Sequence, residues 1–372
     1  MKKTLLTICL VWMCFSLSAQ KIIDLSGKWS FSIDRQDNGE KEKWFSHTLN
    51  DFINLPGSMP EKLKGDEVTA KTQWTGSLYD SSYYYNPYME KYRKEGNIKF
   101  PFFLTPDKHY VGAAWYQKEV NIPADWKGER ILLFLERPHI ETTVWVNGQK
   151  TGMQNSLCVP HQYDITRYVR PGKCTITIRV DNRIKEINVG PDSHSITDQT
   201  QGNWNGIVGR ICLQTTPKTY FDDIQIYPEP EQKLARVKVV IKGTGTAKVK
   251  LSAESFNTDK KHIVPAIQQE IKLNKGVTET EMVLPMGNDM LLWDEFHPAL
   301  YKLKAEVTNG KKTEIKEIQF GMRRFEIKGK WFYVNGRKTQ LRGTVENCDF
   351  PLTGYAPMDV ESWERVFRIC RS

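Results

Sequence analysis

TTVWVNGQKTG, residues 142–152, decides the fold class. Thr142, Val144 and Val146 fall on one side of an extended chain, and Thr143 and Trp145 on the other. A period of two is the signature of a strand. Asn147-Gly148 follows at once and supplies the positive backbone angles of a tight hairpin turn. Thr175–Val180 repeats the pattern, with Ile176, Ile178 and Val180 opposite Thr175, Thr177 and Arg179. Arg130–Glu136 (RILLFLE) is a more continuous apolar run, which suits a central strand. Short strands without intervening helices predict an all-β domain, a sandwich or a jelly roll.

The alternation continues in a second stretch. Val237, Val239 and Ile241, then Ala247, Val249 and Leu251, then Leu303, Ala305 and Val307 each mark one strand face. Strands at this spacing over roughly 100 residues suit an immunoglobulin-like sandwich. Further on, Phe325–Gln340 predicts a hairpin around Asn335-Gly336. Asp359 can cap a helix with Glu361 in its first turn, and Trp363, Val366, Phe367 and Cys370 form one apolar stripe.

Three strings carry a family resemblance: AAWYQKEVNIPADWKGERILLFLE (113–136), TTVWVNGQKTG (142–152) and PHQYDITRYVRPGKCTITIRVDN (160–182). Trp115-Tyr116, Trp126-Lys127-Gly128, Trp145-Val146-Asn147-Gly148 and Asp164-Ile165-Thr166 stand in an order that resembles the sugar-binding domain of family 2 glycoside hydrolases, the β-galactosidase and β-glucuronidase group. Trp293–Leu303 (WDEFHPALYKL) resembles the signature before the last strands of that family's second domain, and GMRRFEIKGKWFYVNGRKTQLRG (321–343) resembles the entry to its barrel. The departures are local. The Gly-Gly usual after the turn is missing, and Gly206–Arg210 is one residue longer than the matching element.

The residues and the resemblance together imply an organisation: a signal peptide at 1–19, a jelly-roll sugar-binding domain at 20–217, an immunoglobulin-like β-sandwich at 218–322, and at 323–372 the first strand and helix of a truncated (β/α)8 barrel. Leu341-Arg342-Gly343 would end that first strand. Only 372 − 343 = 29 residues follow Gly343, whereas such a barrel needs roughly 250.

Composition bounds the partners. Lys2 and Lys3, an apolar run from Leu5 to Leu17 and Ala19 read as a secretory signal, too short to span a bilayer. This predicts a secreted or periplasmic protein without membrane insertion. The net charge is +9, but the basic residues are scattered, so nucleic acid is not the expected partner. Carbohydrate is. Cys158, Cys174, Cys212, Cys348 and Cys370 remain after the signal, and their spacing indicates neither a disulfide framework nor zinc; buried free thiols are expected. No cofactor motif occurs, each histidine stands alone, and the oligomeric state is open.

Two segments could touch a sugar. Trp74–Tyr110 is long, tyrosine-rich and poorly periodic, and loops of this length are usually functional or disordered. In family 2 relatives a loop matching Asp198–Trp204 (DQTQGNW) helps shape the subsite for the terminal sugar, so the resemblance nominates Asp198, Asn203 and Trp204. The same aromatics could equally pack an irregular surface. Glu346 and Asp349, just after the first barrel strand, are nominated as substrate contacts. The Asn…His pair of relatives is absent here, with Val345 and Asn347 in its place. Retaining glycosidases use two carboxyl groups about 5 Å apart, and the family carries both on later barrel strands, so no catalytic residue is assigned. Two readings stay open: the front part of an exported β-glycosidase, inactive alone, or a non-catalytic carbohydrate-binding or vestigial module.

Overall fold

A computed structural model of the chain describes residues 21–185, 193–194, 196–343, 345, 350 and 353–372. The signal stretch, Glu346, Cys348 and Asp349 lie outside the described residues. The chain forms two compact units, Ile22–Thr215 with Arg342–Ser372, and Thr216–Leu341.

The first unit is a two-sheet sandwich. One sheet has six antiparallel strands in the order Gln149–Asn155, Glu141–Val146, Gly172–Asp181, Ala113–Ile122, Gly27–Asp34 and Asp51–Leu55. The other runs Ile22–Asp24, Gly206–Thr216, Arg130–His139 and His161–Asp164, with Gly57–Ser58 also on Gly206–Thr216. Trp29, Phe31, Tyr116, Val144 and Ile178 from the first sheet meet Leu133, Leu135, Ile211 and Leu213 from the second in one core. Burying such side chains contributes roughly 1.5–3 kcal/mol each. The turn after Val146 is as the sequence indicates: Asn147 and Gly148 have φ of 50° and 77°. Asn147 Oδ1 also accepts from the Thr175 backbone N–H at 2.9 Å, tying the turn to the next strand. Arg130–His139 is an interior strand, as its continuous apolar run requires.

The six-stranded sheet is apolar on its outer face too. Trp115, Trp145 and Leu49 form a separate cluster there, with Trp44 and Phe45 against it. Period-two alternation places Tyr116 inside and Trp115 outside, and both are buried because the Asp37–Asn50 loop covers the outer face.

The second unit packs a three-stranded sheet (Tyr220–Glu229, Leu234–Lys242, Val277–Pro285) with a four-stranded one (Ile263–Leu273, Gly245–Phe256, Leu300–Asn309, Lys312–Phe320). Every apolar position read from the alternation in this stretch is in its core.

Residues 323–372 divide between the units. Phe325–Lys328, Trp331–Val334 and Arg337–Thr339 form a small sheet with two turns where the sequence indicated one: Gly329 (φ 61°) makes the first, Asn335-Gly336 the second. Asn335 Nδ2 donates to the Trp293 carbonyl at 3.0 Å, which holds this sheet to the second unit. Leu341, Arg342 and Gly343 carry no strand. The helix Val360–Arg371 is capped by Asp359, whose Oδ1 accepts from the Ser362 N–H at 2.7 Å. Its stripe is partly covered: Trp363 packs edge-on to Phe350 at 5.6 Å, while Phe367 is 65% exposed.

Candidate functional site

Asp198 is the hub of the first unit's irregular end. One carboxylate oxygen accepts from the Thr75 N–H at 2.7 Å and lies 3.1 Å from His109 Nε2. The other accepts from the Asn203 N–H at 2.7 Å. The Asp198 N–H donates to the Thr75 carbonyl at 2.9 Å, and the Asp198 carbonyl accepts from the Leu104 N–H at 2.8 Å. A carboxylate can be buried when hydrogen bonds replace its hydration, and this side chain is only 4% exposed.

Asn203 is buried beside it. Its Nδ2 donates to Thr75 Oγ1 at 3.0 Å and to the Asn182 carbonyl at 3.1 Å. Asn182 in turn accepts from the Gly112 N–H at 2.8 Å, so the loop is fixed to the end of the Ala113–Ile122 strand. Trp204 is half-buried and stacks on His139, with ring centroids 4.5 Å apart. Burial pushes the His139 imidazole down to about 4, with Asn203 and the Asp198 charge pulling the other way, so the ring is neutral at pH 7. His139 Nε2 and Asn203 Oδ1 are both buried without a partner in good hydrogen-bond geometry.

The tyrosine-rich segment divides into packed and exposed aromatics. Trp74 stacks on Phe103 at 5.8 Å and meets Phe100 and His109 at 5.1 and 4.7 Å. Tyr83 is buried and donates to the Tyr92 carbonyl. Tyr79, Tyr85 and Tyr88 are exposed.

The C-terminal segment completes a crevice. Gly354 and Tyr355 line it with His109, Asp198, Asn203 and Trp204. Gly354 has φ 76°, and a Cβ there would stand 2.2 Å from the Pro106 nitrogen, so only glycine allows this approach. The free interior is about 10 Å³, room for about one water and no sugar. The sequence-nominated Asp198, Asn203 and Trp204 are thus brought together, two as buried anchors and one as a wall. Glu346 and Asp349 lie outside the described residues.

An ion cluster steadies the approach to this loop. Asp181 Oδ2 meets Arg179, Arg183 and Lys185 at 3.0, 2.6 and 2.7 Å; Asp37 pairs with both arginines, and Glu141 with Arg179 and Lys185. Burial would raise the Asp181 carboxyl, but hydrogen bonds from Arg183 and Lys185 outweigh it and hold the group far below the usual range.

Sequence reading missed His109, His139, Tyr355 and this cluster. His109 and Asp198 are 89 residues apart, and no linear spacing signals such a pair. The cysteine expectation needs correction: Cys174 and Cys212 are buried, but Cys158 and Cys370 are exposed, the first after a strand end and the second on the helix Val360–Arg371. Among the described residues no group of three or more His, Cys, Asp or Glu is placed to hold a metal ion. No described helix is long and apolar enough to cross a membrane.

Residues 22–217 match the family model of the glycosyl hydrolases family 2 sugar binding domain, and residues 219–323 the model described as glycosyl hydrolases family 2. The chain is 24% identical over 355 residues to the beta-glucuronidase of Paenibacillus borealis, covering 90% of this chain and 51% of that protein. It is 23% identical over 350 residues to the beta-galactosidase large subunit of Latilactobacillus sakei, covering 91% and 52%. Among solved structures it is similar to the Ruminococcus gnavus β-glucuronidase in complex with D-glucuronic acid, with a TM-score of 0.67 at 19% identity, covering 95% of this chain and 55% of that one. The chain spans about half the length of these relatives.

Proposed function

We propose, because the chain belongs to glycosyl hydrolases family 2, that it supplies the substrate-side front of a β-glycosidase acting on non-reducing-end β-glycosides. In this reading the first unit is the family's jelly-roll sugar-binding domain and the second its immunoglobulin-like spacer. The 3 + 4 strand division of the second unit supports the latter. The observation that carries the proposal is the match of two consecutive family domains, in order, over residues 22–217 and 219–323.

The reaction assigned to the whole enzyme is retaining hydrolysis. One carboxylate attacks the anomeric carbon while a second protonates the leaving oxygen; water then releases the sugar. Both carboxylates would stand on a barrel, and none of the described acidic residues is assigned to either role. Within this division of labour, Trp204 and Tyr355 would form part of the wall for the terminal sugar. Asp198 and Asn203 would hold that wall in place through the Thr75 backbone. The apolar stripe of Val360–Arg371 would pack against the outer face of such a barrel's strands. The charged and apolar runs at Lys2–Ala19 support export.

The test is capture from the source cells with an antibody against residues 216–341. A polypeptide longer than 372 residues that hydrolyses 4-nitrophenyl β-glycosides is the expected result. A captured product of 372 residues or fewer without such activity would overturn the reading.

A further inference from the structure

The first unit carries a second opening on the edge of its six-stranded sheet. Strand Gly27–Asp34 pairs with Asp51–Leu55 only as far as Phe31 opposite Asp51. Where the partner strand stops, Ser32, Ile33 and Arg35 border an open depression of about 630 Å³, lined on its other sides by residues of 44–51 and 63–65. This volume is in the range of small-molecule sites, whereas the Asp198 crevice has about 10 Å³.

Its lining is amphipathic. The apolar part is Trp44, Leu49 and Leu63. Trp44 is half-buried, with its ring 6.0 Å from Trp115 and its indole N–H donated to Glu42 at 2.9 Å. The polar part is His47, Thr48 and Asn50, all exposed, whose side chains make no hydrogen bond within the described residues. The charged residues of the lining are already paired: Lys64 with Asp51 at 2.6 Å and Arg35 with Asp66 at 2.5 Å.

The loop that carries Trp44 and His47 is tied to the sheet by hydrogen bonds. Asp34 accepts from the N–H groups of Asn38 and Gly39 and from the Trp115 indole, each at 2.9 Å. A Cβ on Gly39 would stand 2.5 Å from Trp115 Nε1. The Trp44 N–H donates to the Gly39 carbonyl at 2.8 Å, and Gln117 Nε2 donates to the His47 carbonyl at 3.0 Å. Preorganisation of this kind lowers the ordering cost of binding.

We propose that this depression is a carbohydrate-binding site separate from the Asp198 crevice, taking a neutral pyranose or a terminal disaccharide. A pyranose presents a C–H face to the electron-rich face of an indole and hydroxyls to uncommitted donors and acceptors such as His47, Thr48 and Asn50. An acidic ligand would require a free cation, and the lining's Lys64 and Arg35 are both engaged. A lipid would require walls without polar groups. The site rests on residues 31–65 alone and stands whether or not the chain is part of a glycosidase.

The test is saturation-transfer difference NMR on the whole chain with the methyl glycosides of glucose, galactose, mannose and xylose, and with cellobiose and lactose. At least one is expected to show transfer to its ring protons. Trp44→Ala is expected to weaken that ligand roughly tenfold. Should Trp44→Ala lower the melting temperature, the double variant Thr48→Ala/Asn50→Ala, at exposed positions, is expected to weaken binding with the melt unchanged. Trp204→Ala is expected to leave binding as it is. Absence of transfer from all six sugars would overturn the proposal. So would a signal that survives both variants of the depression and disappears in Trp204→Ala, since the sugar would then occupy the crevice.

Discussion

Asp198 commits its carboxylate to two backbone amides and a histidine. Removing it leaves buried backbone donors unpaired, so Asp198→Ala should cost roughly 1–3 kcal/mol for each donor stranded. A urea midpoint within error of the parent would show that the hub is dispensable. His139 and His161 give a second prediction. Burial pushes each down to about 4, the latter with Ser156 opposing. The unfolded imidazoles, near 6.5, bind protons first as the pH falls. Stability is therefore intact above about 6.5, falls as the pH drops toward 4, and is lowered by on the order of 2 kcal/mol per histidine at pH 5. The Asp181 carboxyl, held far lower, does not contribute in that window. Urea titrations at pH 7 and 5 should show the loss, and His161→Gln should reduce the slope. Asp198, Asn203 and Trp204 were legible because a polar loop with one tryptophan, DQTQGNW, resembles a known site loop. His109 and His139 were not, because their roles arise only when strands far apart in sequence are folded.

At the scale of elements, legibility followed periodicity. The apolar faces of Thr175–Val180 and Val237–Ile241 are buried where alternation placed them, and the apolar residues of Arg130–Glu136 are buried as their continuous run indicated. The segment Trp74–Tyr110 has no period, and its short turns of helix, Ser82–Tyr85 and Pro87–Tyr92, could not be read. Their form is set by Asn86, which caps the second at 2.9 Å, and by ring packing around Trp74. The helix Val360–Arg371 was legible from its cap and stripe. Phe367 is 65% exposed, with the Trp363 ring 6.2 Å away on its own helix, so Phe367→Glu should change the melting temperature little and reduce self-association in sedimentation velocity. A loss of several degrees would mean the side chain is packed in solution.

For the whole molecule, the all-β class was legible because two long runs of alternating strands exclude other architectures. The split of residues 323–372 was not, because no local pattern reports that Gly354 must approach Pro106 or that Asn335 must reach Trp293. The unit Thr216–Leu341 has its own core, including fully buried Val239, Leu303 and Met322. Expressed alone, it should melt cooperatively with a strand-type circular dichroism spectrum. A non-cooperative melt would show that its stability is borrowed from the rest of the chain. Asp198 also has a meaning on this scale. It holds Thr75 and Leu104 on one residue, so the chain between them leaves and rejoins the sandwich at a single neck. Closing an excursion at its neck makes its length nearly irrelevant to the body it leaves. Tyr79, Tyr85 and Tyr88 stand exposed on that excursion, so changes at these three positions should leave the sandwich's fold as it is. The neck lets the outer tyrosines vary independently of the strands beneath.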